Sequence, residues 1–412
     1  MVAVPAVPTR SREWTPVLTG LRADLLDCVQ VNLAALADRA YGPGAHLALG
    51  ATLRFHTAEG PAGTPAVTAS VDQRLAEAAD LLGLRVTRRW DDVPGARLRE
   101  LVAEHSPLYV VADTFTMSWL PYAGNQHMEH SFLLVDAGEH CVVVDGYHNS
   151  TQWGDARPGT WRMSAADFDA AVPRATAMTV VADGAPLLDR AAVLRDNAVA
   201  LRAEADRIEE YLAAVGRRAG EAEAAAQLVL DVWLLGRSRA LHAAWLAGDP
   251  GTADAAREAA ARADAWLALA GQSYVAMRRV RRGGVFPAPV LDQLAGLLRD
   301  DVALAGRLAD AGPVPPPRDG STADPGRIRE VLADEVRGVL GVGPEVPVDG
   351  RPLRTLSGFN SFRLVEVIER AEARLGVELD PDDLTGPALH DLDSLGTVFE
   401  RARPATQGVS GR

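Results

Sequence analysis

The segment QHMEHSFLLVDAGEHCVVVDGYHN, residues 126–149, contains two apolar runs separated by a short polar connection. The runs are SFLLVDAG at 131–138 and CVVVDGY at 141–147, and both are rich in the residues that favour β-strands. A connection this short joins antiparallel strands, since parallel strands need a long crossover. The segment therefore predicts a hairpin in which His130 precedes the first strand and Asp145 ends the second.

Similar patterns outward from the hairpin divide the chain into zones. Residues 18–185 combine further strands, LYVVADTF at 108–115 and AMTVVAD at 177–183, with helical patterns such as 71–83, which predicts an α+β domain. Residues 186–310 lose the strand signal and show apolar residues at helical spacing, which predicts a bundle of about four helices. The four segments lie near 187–215, 221–247, 252–280 and 287–309.

A Pro-rich stretch, AGPVPPPRDGSTADPG at 311–326, separates these zones from the C-terminal part. Such a stretch forms an extended spacer and does not join a packed core. Residues 327–403 are therefore predicted to be a tethered module, which carries 10 Arg against 15 Asp and Glu.

Composition excludes several classes of function. The 412 residues suit two to three domains, with 48% hydrophobic and 24% charged residues. Because the chain has no Lys, it can build neither a Walker A loop nor a pyridoxal-phosphate Schiff base. The net charge of −13 disfavours nucleic acid as a partner. No apolar run is long enough to cross a membrane, so we expect a cytoplasmic protein with no membrane partner.

The chain has two cysteines, Cys28 and Cys141, each predicted to be a separate thiol. Cys141 lies within an apolar strand and is predicted to be a core residue. Cys28 follows Asp27, a candidate N-cap with Gln30 three residues on, so Cys28 is predicted at the first position of a helix. A helix N-terminus lowers a thiol pKa, whereas the neighbouring Asp27 raises it.

A nucleophilic cysteine needs a base, and four histidines lie between residues 127 and 148. If the hairpin forms, Asp145 lies close enough to hold the ring of His130. Cys28, His130 and Asp145 are therefore the candidate catalytic residues. The alternative is a metal site made of His127, His130, Asp145 and His148, but these residues form no recognised ligand motif, so no metal is expected.

The C-terminal module has a helical pattern at 327–340, a Gly- and Pro-rich loop, a helix opening at Ser361, and room for two short helices in 382–402. Together with Gly358, Asn360, Phe362 and the turn Gly376–Leu379, this order resembles an acyl or peptidyl carrier protein. The resemblance implies a four-helix domain, covalent 4′-phosphopantetheine on Ser361, and a phosphopantetheinyl transferase as partner. The chain has Asn360 and Phe362 where the family usually has Asp and Leu. Ser361 could instead only cap the helix.

Residues 20–185 resemble the N-terminal domain of the butirosin-biosynthesis acyltransferases. The resemblance rests on the segment around Cys28, on 48–55, on Leu120–Tyr122 and on the His-containing hairpin. It implies a papain-like cysteine-peptidase fold in which Cys28 is the nucleophile, His130 the base and Asp145 the orienting acid. Where papain-like enzymes commonly place a Gln, this chain has Arg22, so backbone N–H groups or Arg22 would bind the oxyanion.

The sequence thus predicts a cysteine-dependent acyltransferase of natural-product biosynthesis that moves a carrier-bound acyl or aminoacyl group onto a small-molecule amine. A separate adenylating enzyme would load the carrier. Intramolecular cyclisation, thioester hydrolysis and a non-catalytic carrier-binding scaffold stay open as alternatives. Arg278, Arg279, Arg281 and Arg282 are either a solvated helix end or a docking patch. Four aromatic residues of the helical zone are candidates for a tunnel or for core packing: Trp233, Trp245, Trp266 and Tyr274.

Overall fold

The computed structural model describes residues 14–60, 63–249 and 252–311, and in the C-terminal part 325–340, 361–375, 391–404 and single positions between them. The chain divides into two compact units, 1–314 and 315–412, at a point inside the Pro-rich stretch. No described helix is both long and apolar enough to span a lipid bilayer.

A six-stranded antiparallel sheet forms one half of the first unit. Its strand order is β3-β10-β4-β5-β6-β9, with two separate two-stranded ribbons, β1-β2 and β7-β8. The strands are β1 Thr57–Glu59, β2 Pro65–Val67, β3 Leu84–Val93, β4 Leu108–Asp113, β5 Glu129–Ala137, β6 Cys141–Asp145, β7 Asn149–Thr151, β8 Gly154–Ala156, β9 Gly159–Met163 and β10 Ala175–Ala182.

The helices around this sheet are α1 Thr15–Gly20, α2 Gln30–Tyr41, α3 Val71–Leu82, α4 Gly95–His105 and α5 Ala165–Ala171. The central strands β4, β5 and β6 are almost wholly buried, as their uninterrupted apolar runs predict. Helix α2 belongs to the same hydrophobic core, and no residue of it from Gln30 to Asp38 is exposed. The first turn of α2 is thereby brought to the start of β5 and the end of β6.

The helical zone contains α6 Arg190–Ala203, α7 Ala205–Arg218, α8 Ala222–Ala247, α9 Ala253–Val280 and α10 Ala288–Ala311. The pattern at 187–215 predicts one helix, but the structure has two. The backbone of Glu204 (φ −89°, ψ 1°) leaves the helical region between them. Helix α8 belongs partly to the sheet core through Leu241 and partly to a second core centred on Trp266. The sheet and the helical zone therefore pack as one unit.

The second unit has its own hydrophobic core, formed by α11 Pro325–Leu340, α12 Ser361–Leu375 and α13 Leu392–Arg401. A short ribbon pairs β11 Val377–Glu378 with β12 Arg403–Pro404. Arg374 on α12 makes ion pairs with Asp334 (3.2 Å) and Glu335 (3.0 Å) on α11. Of the two short helices predicted in 382–402, α13 is described, and most of the rest of that range lies outside the described residues. Gly358 and Asn360 also lie outside them.

Candidate active site

Helix α2 begins at Gln30, two residues later than predicted. Val29, directly before it, forms no side-chain cap, and Asp27 caps the N–H groups at the helix start instead. The Asp27 carboxylate accepts hydrogen bonds from the N–H groups of Val29 (2.9 Å) and Gln30 (2.8 Å). The Gln30 side chain accepts the N–H of Asp27 in return, at 3.4 Å. The capping box is therefore present, and Cys28 lies between the cap and the first helical residue rather than inside the helix.

The loop that carries Cys28 is held against the sheet by two hydroxyl groups. Ser131 Oγ donates to the carbonyl of Cys28 at 2.6 Å, and Tyr109 OH donates to the carbonyl of Val29 at 2.8 Å. Cys28 as a whole residue is half-buried, and its thiol donates to the carbonyl of Glu129 at 3.5 Å. The sulfur thus lies beside the residue that precedes His130.

His130 and Asp145 form a buried pair. Their positions in the hairpin bring His130 Nε2 to 2.7 Å from Asp145 Oδ2, and the two side chains are 0% and 1% exposed. The second ring nitrogen, Nδ1, is also buried and has no hydrogen-bond partner among the described residues. If Nε2 carries the proton donated to the carboxylate, Nδ1 presents a free lone pair, which is the form a general base needs.

Asp145 is surrounded by further donors. Its carboxylate accepts from Tyr147 N–H (2.9 Å), from Trp119 Nε1–H (3.2 Å) and from Asn32 Nδ2–H (3.4 Å). Burial alone would raise its pKa, but His130 and these donors favour the ionised form and bring the pKa below its ordinary value of 3.8. The carboxylate is therefore ionised at neutral pH and able to orient the imidazole.

The pKa of the Cys28 thiol is raised well above its ordinary value. Burial is the main cause, and the carboxylates of Asp27 and Asp145 add to it. A helix start favours a thiolate and so lowers a thiol pKa. Burial and the two carboxylates outweigh this lowering at Cys28. The thiol is protonated at neutral pH, and attack by sulfur needs a base that removes its proton. No described hydrogen bond joins the thiol to His130.

Asn32 and Arg237 belong to this site and were missed from the sequence. Asn32 donates to the carbonyl of Ser131 at 2.8 Å and accepts the N–H of Gly146 at 3.0 Å, so it links α2 to the end of β6. Its spacing of four from Cys28, between the apolar residues Val31 and Leu33, is a signal that could have found it. Arg237, on the distant α8, left no local signal.

Arg237 is 7% exposed and donates to the backbone on both sides of the site. It bonds the carbonyl of Leu26 at 2.6 Å, two residues before Cys28, and the carbonyl of His148 at 2.7 Å, three residues after Asp145. Its guanidinium lies 4.1 Å from the ring centroid of Trp233. Arg237 therefore fixes the loop before the thiol relative to the loop after the acid.

Other candidates lie elsewhere. The Arg22 guanidinium is half-exposed and paired with Asp24 at 3.0 Å, so the prediction that it binds an oxyanion has no support in its position. The exposed His127 pairs with Asp113 at 2.5 Å and stacks on Phe115. Cys141 is a core residue, as predicted, and burial raises the pKa of its thiol to about 11.

The remaining candidates are the aromatic residues of the helical zone, the arginines at its helix end and a metal site. Trp266 is fully buried in the helical core, whereas Tyr274 is 38% exposed. The four arginines at 278–282 are exposed. Among the described residues, no group of three or more His, Cys, Asp or Glu side chains could hold a metal ion.

In the second unit, helix α12 begins at Ser361. A helix N-terminus offers unpaired N–H groups and partial positive charge, which suit a phosphate ester on this serine. The residues present therefore fit a phosphopantetheine attached there. No described helix or strand lies between α11 and Ser361, where the loop was predicted.

Comparison with known proteins bears on this second unit. No curated protein matches the chain. Residues 330–392 match the family model described as a phosphopantetheine attachment site, which begins within α11 and ends at the start of α13. The C-terminal module is a carrier domain that bears covalent 4′-phosphopantetheine on a serine, and it implies a phosphopantetheinyl transferase and further biosynthetic partners.

Proposed function

We propose that the first unit is a cysteine-dependent acyltransferase that takes an acyl or aminoacyl group from a carrier thioester and passes it to an amine. The observation that carries the proposal is the buried His130, which is bonded to Asp145 through Nε2 and has no partner at Nδ1 among the described residues. His130 directly follows Glu129, whose carbonyl accepts the hydrogen bond of the Cys28 thiol. The resemblance of residues 20–185 to the butirosin-biosynthesis acyltransferases, and the papain-like fold that it implies, are part of the same proposal. The carrier domain on the same chain supports thioester chemistry.

In the first half of the reaction, the acyl group moves from the carrier thioester to Cys28. When attached to Ser361, phosphopantetheine supplies the thiol that holds an acyl group as a thioester. His130 Nδ1 removes the proton of Cys28, and the sulfur attacks the thioester carbonyl. His130 then protonates the departing thiol, leaving the acyl group on Cys28. Asp145 stabilises the imidazolium in both directions because its carboxylate stays ionised.

The second half returns the enzyme to its starting state. His130 removes a proton from the incoming amine as its nitrogen attacks the acyl group on Cys28. An amide forms, the C–S bond breaks, and the proton returns to the Cys28 sulfur. Backbone N–H groups near Cys28 are the candidates for oxyanion binding, since Arg22 is engaged with Asp24.

Loading the full chain tests the proposal. The purified chain with its serine unmodified is incubated with acyl-coenzyme A and a phosphopantetheinyl transferase, which attaches the whole acyl-phosphopantetheine arm in one step. The charged chain is then incubated with and without amines. We expect intact-mass spectrometry to show loss of the acyl group from the chain and an equal amount of amide. Cys28→Ala should abolish amide formation, and Cys141→Ala is the matched control because it removes the other cysteine.

The alternatives give different products in the same assay. A free acid formed at the same rate with and without amine indicates hydrolysis. Loss of water from the carrier-bound group indicates cyclisation. A Cys28→Ala chain that matches the wild type in every product would contradict covalent catalysis and favour a scaffold. Ser361→Ala should prevent loading altogether, and Ser357→Ala, a second serine of the matched region, is its control.

A further inference from the structure

A small cavity lies where helix α8 meets the segments that precede and follow β1-β2. Its volume is about 60 Å³, room for roughly four water molecules or one compact polar group. Its lining residues include Gln30, Arg54, Arg74, Glu77, Ser238 and Arg239. Three guanidinium groups around so small a volume distinguish it from an ordinary packing defect.

Arg239 is 4% exposed and only partly satisfied. Its Nε donates to Asp301 at 2.8 Å, and its Nη1 donates to the carbonyl of Arg54 at 3.3 Å. Its Nη2 is buried and has no hydrogen-bond partner in the described part of the chain. A buried guanidinium N–H without an acceptor destabilises the fold, so the site favours a group that brings an oxygen.

Arg54 differs from the other two arginines of this cavity in its partners. Its Nη1 donates to the carbonyl of Leu53 (2.7 Å) and to Asn197 Oδ1 (2.8 Å), and no ion pair joins it to a carboxylate within the described residues. Burial lowers its pKa, opposed by the charges of Asp196 and Glu77. The charged guanidinium is therefore partly dehydrated without a direct counter-ion.

The other two cations have carboxylate partners. Arg74 pairs with Asp27 at 2.7 Å and with Glu77 at 2.7 Å, yet its Nε is buried without an acceptor. Arg239 has Asp301. The lining of one cavity thus includes two arginines with an unsatisfied guanidinium nitrogen and a third, Arg54, that forms no ion pair among the described residues. Guanidinium groups form strong, often bidentate hydrogen bonds with anionic oxygens, those of carboxylates among them.

The cavity adjoins the Cys28 loop. Gln30, which lines it, exchanges hydrogen bonds with Asp27, and Arg74 bonds the other oxygen of the same carboxylate. Asp27 precedes Cys28 directly. Two residues of the cavity lining therefore hold the residue next to Cys28, which is the reason to assign the cavity to the substrates of Cys28.

We propose that Arg54, Arg239 and Arg74 form a subsite for a carboxylate carried by one of the substrates of Cys28. The inference rests on the proposed acyltransferase function and adds the substrate class. The carboxylate would accept from Arg239 Nη2 and Arg54 and form a direct ion pair with Arg54. It belongs either to the acyl group or to the amine acceptor.

Binding is tested without catalysis. The wild-type full chain is melted with succinate and with succinamide at equal ionic strength. We expect succinate to raise the unfolding midpoint by about 2 °C or more at saturating concentration and succinamide to leave it unchanged. Arg54→Gln should remove the rise, Arg54→Lys should keep part of it, and Arg162→Gln, on the exposed strand β9, should keep all of it. Equal shifts with both compounds, or an unchanged shift in Arg54→Gln, would overturn the subsite.

A second arm identifies the substrate that carries the carboxylate. The acyl group is varied between glutaryl, which carries a carboxylate, and pentanoyl, which does not. The acceptor is varied in the same way between glycine and the neutral glycinamide. We expect Arg54→Gln to slow transfer at least tenfold for one carboxylate-bearing substrate and to leave its neutral counterpart within twofold. Equal rates for all pairs overturn the subsite while transfer itself persists. Absence of acyl-Cys28 with every substrate instead refutes the proposed function, even where the thermal shift is seen.

Discussion

The imidazole of His130 is joined to Asp145 through Nε2 at 2.7 Å, with both side chains excluded from solvent, and its opposite nitrogen has no described partner. A histidine that only filled the core would normally satisfy both nitrogens, because a buried unpaired nitrogen is costly. The free nitrogen instead marks the side of the ring where a proton can be received. This relationship underlies the predictions for the candidate site.

Asp145→Asn should lower the rate of acyl transfer roughly 10²- to 10⁴-fold, because the amide no longer stabilises the imidazolium. Single-turnover kinetics on the charged chain measures this. Asp113→Asn is the matched control, since Asp113 also pairs with a histidine, His127, on the same sheet but at an exposed position. Equal effects of the two substitutions would contradict the role of Asp145.

The Asp145 pair also affects stability at low pH. Its folded pKa lies below the ordinary value of 3.8, so the ionised carboxylate stabilises the fold above that pH. This stabilisation disappears as pH falls through the folded pKa. The Asp145→Asn chain should therefore lose less stability than the wild type on acidification, as measured by urea unfolding at a series of pH values.

Asp27→Asn should speed alkylation of Cys28. The Asp27 charge raises the pKa of the thiol, and Asn keeps the helix cap while removing that charge. We expect iodoacetamide to modify wild-type Cys28 more slowly than free cysteine at neutral pH and to modify the variant several-fold faster than the wild type. Asp24→Asn, whose carboxylate pairs with Arg22, is the control. A slower or unchanged rate in Asp27→Asn would contradict the electrostatic account.

Arg237→Gln should lower transfer by about tenfold or more because the loops on either side of the site lose their shared hydrogen bonds. As a positioning residue, Arg237 should affect kcat strongly, and its substitution should change the melting temperature little. Arg190→Gln is a close control, since Arg190 also lies over a tryptophan, Trp245, and bonds a carbonyl. Loss of stability without a specific kinetic effect would assign Arg237 to packing alone.

Two buried groups of α8 should give opposing pH dependences of stability. Burial raises the pKa of Asp231 to about 7 and lowers that of His242 to about 4. Between about pH 4 and 7, Asp231 makes the fold less stable as pH rises, because the native state holds a proton that the unfolded state has lost. His242 makes it more stable as pH rises from about 4 to 6.5, because only the unfolded state binds the proton there.

Asp231→Asn should therefore reveal the His242 effect. We expect the free energy of unfolding of the variant to rise more steeply with pH over this window than that of the wild type, by a total of up to a few kcal/mol. Chemical denaturation at stepped pH measures it, with the exposed Asp264→Asn as control. Parallel curves for Asp231→Asn and wild type would contradict the raised pKa.

Much of this architecture follows from local patterns. The hairpin could be predicted because its two apolar runs leave only an antiparallel pairing, and that pairing brings His130 to Asp145. The capping residues Asp27 and Gln30 were also readable, although the helix itself starts later. The division of 187–215 at Glu204 has no Gly or Pro to mark it.

Long-range contributions could not be predicted in the same way. Arg237 reaches the Cys28 loop from more than 200 positions away, and its partners are carbonyl groups, which carry no side-chain signature. The raised pKa of the Cys28 thiol depends on burial and on Asp145, whose distance from the sulfur is set only by the folded sheet.

The central claim is that an acyl group passes through the sulfur of Cys28. Its most direct test is peptide mass spectrometry of the charged full chain, quenched in acid within seconds and before any amine is added. We predict the acyl mass on the peptide containing Cys28, lost on addition of an amine and never formed in His130→Gln. The account would be contradicted if the acyl group were found only on the Ser361 peptide before amine is added and amide still formed once the amine was present.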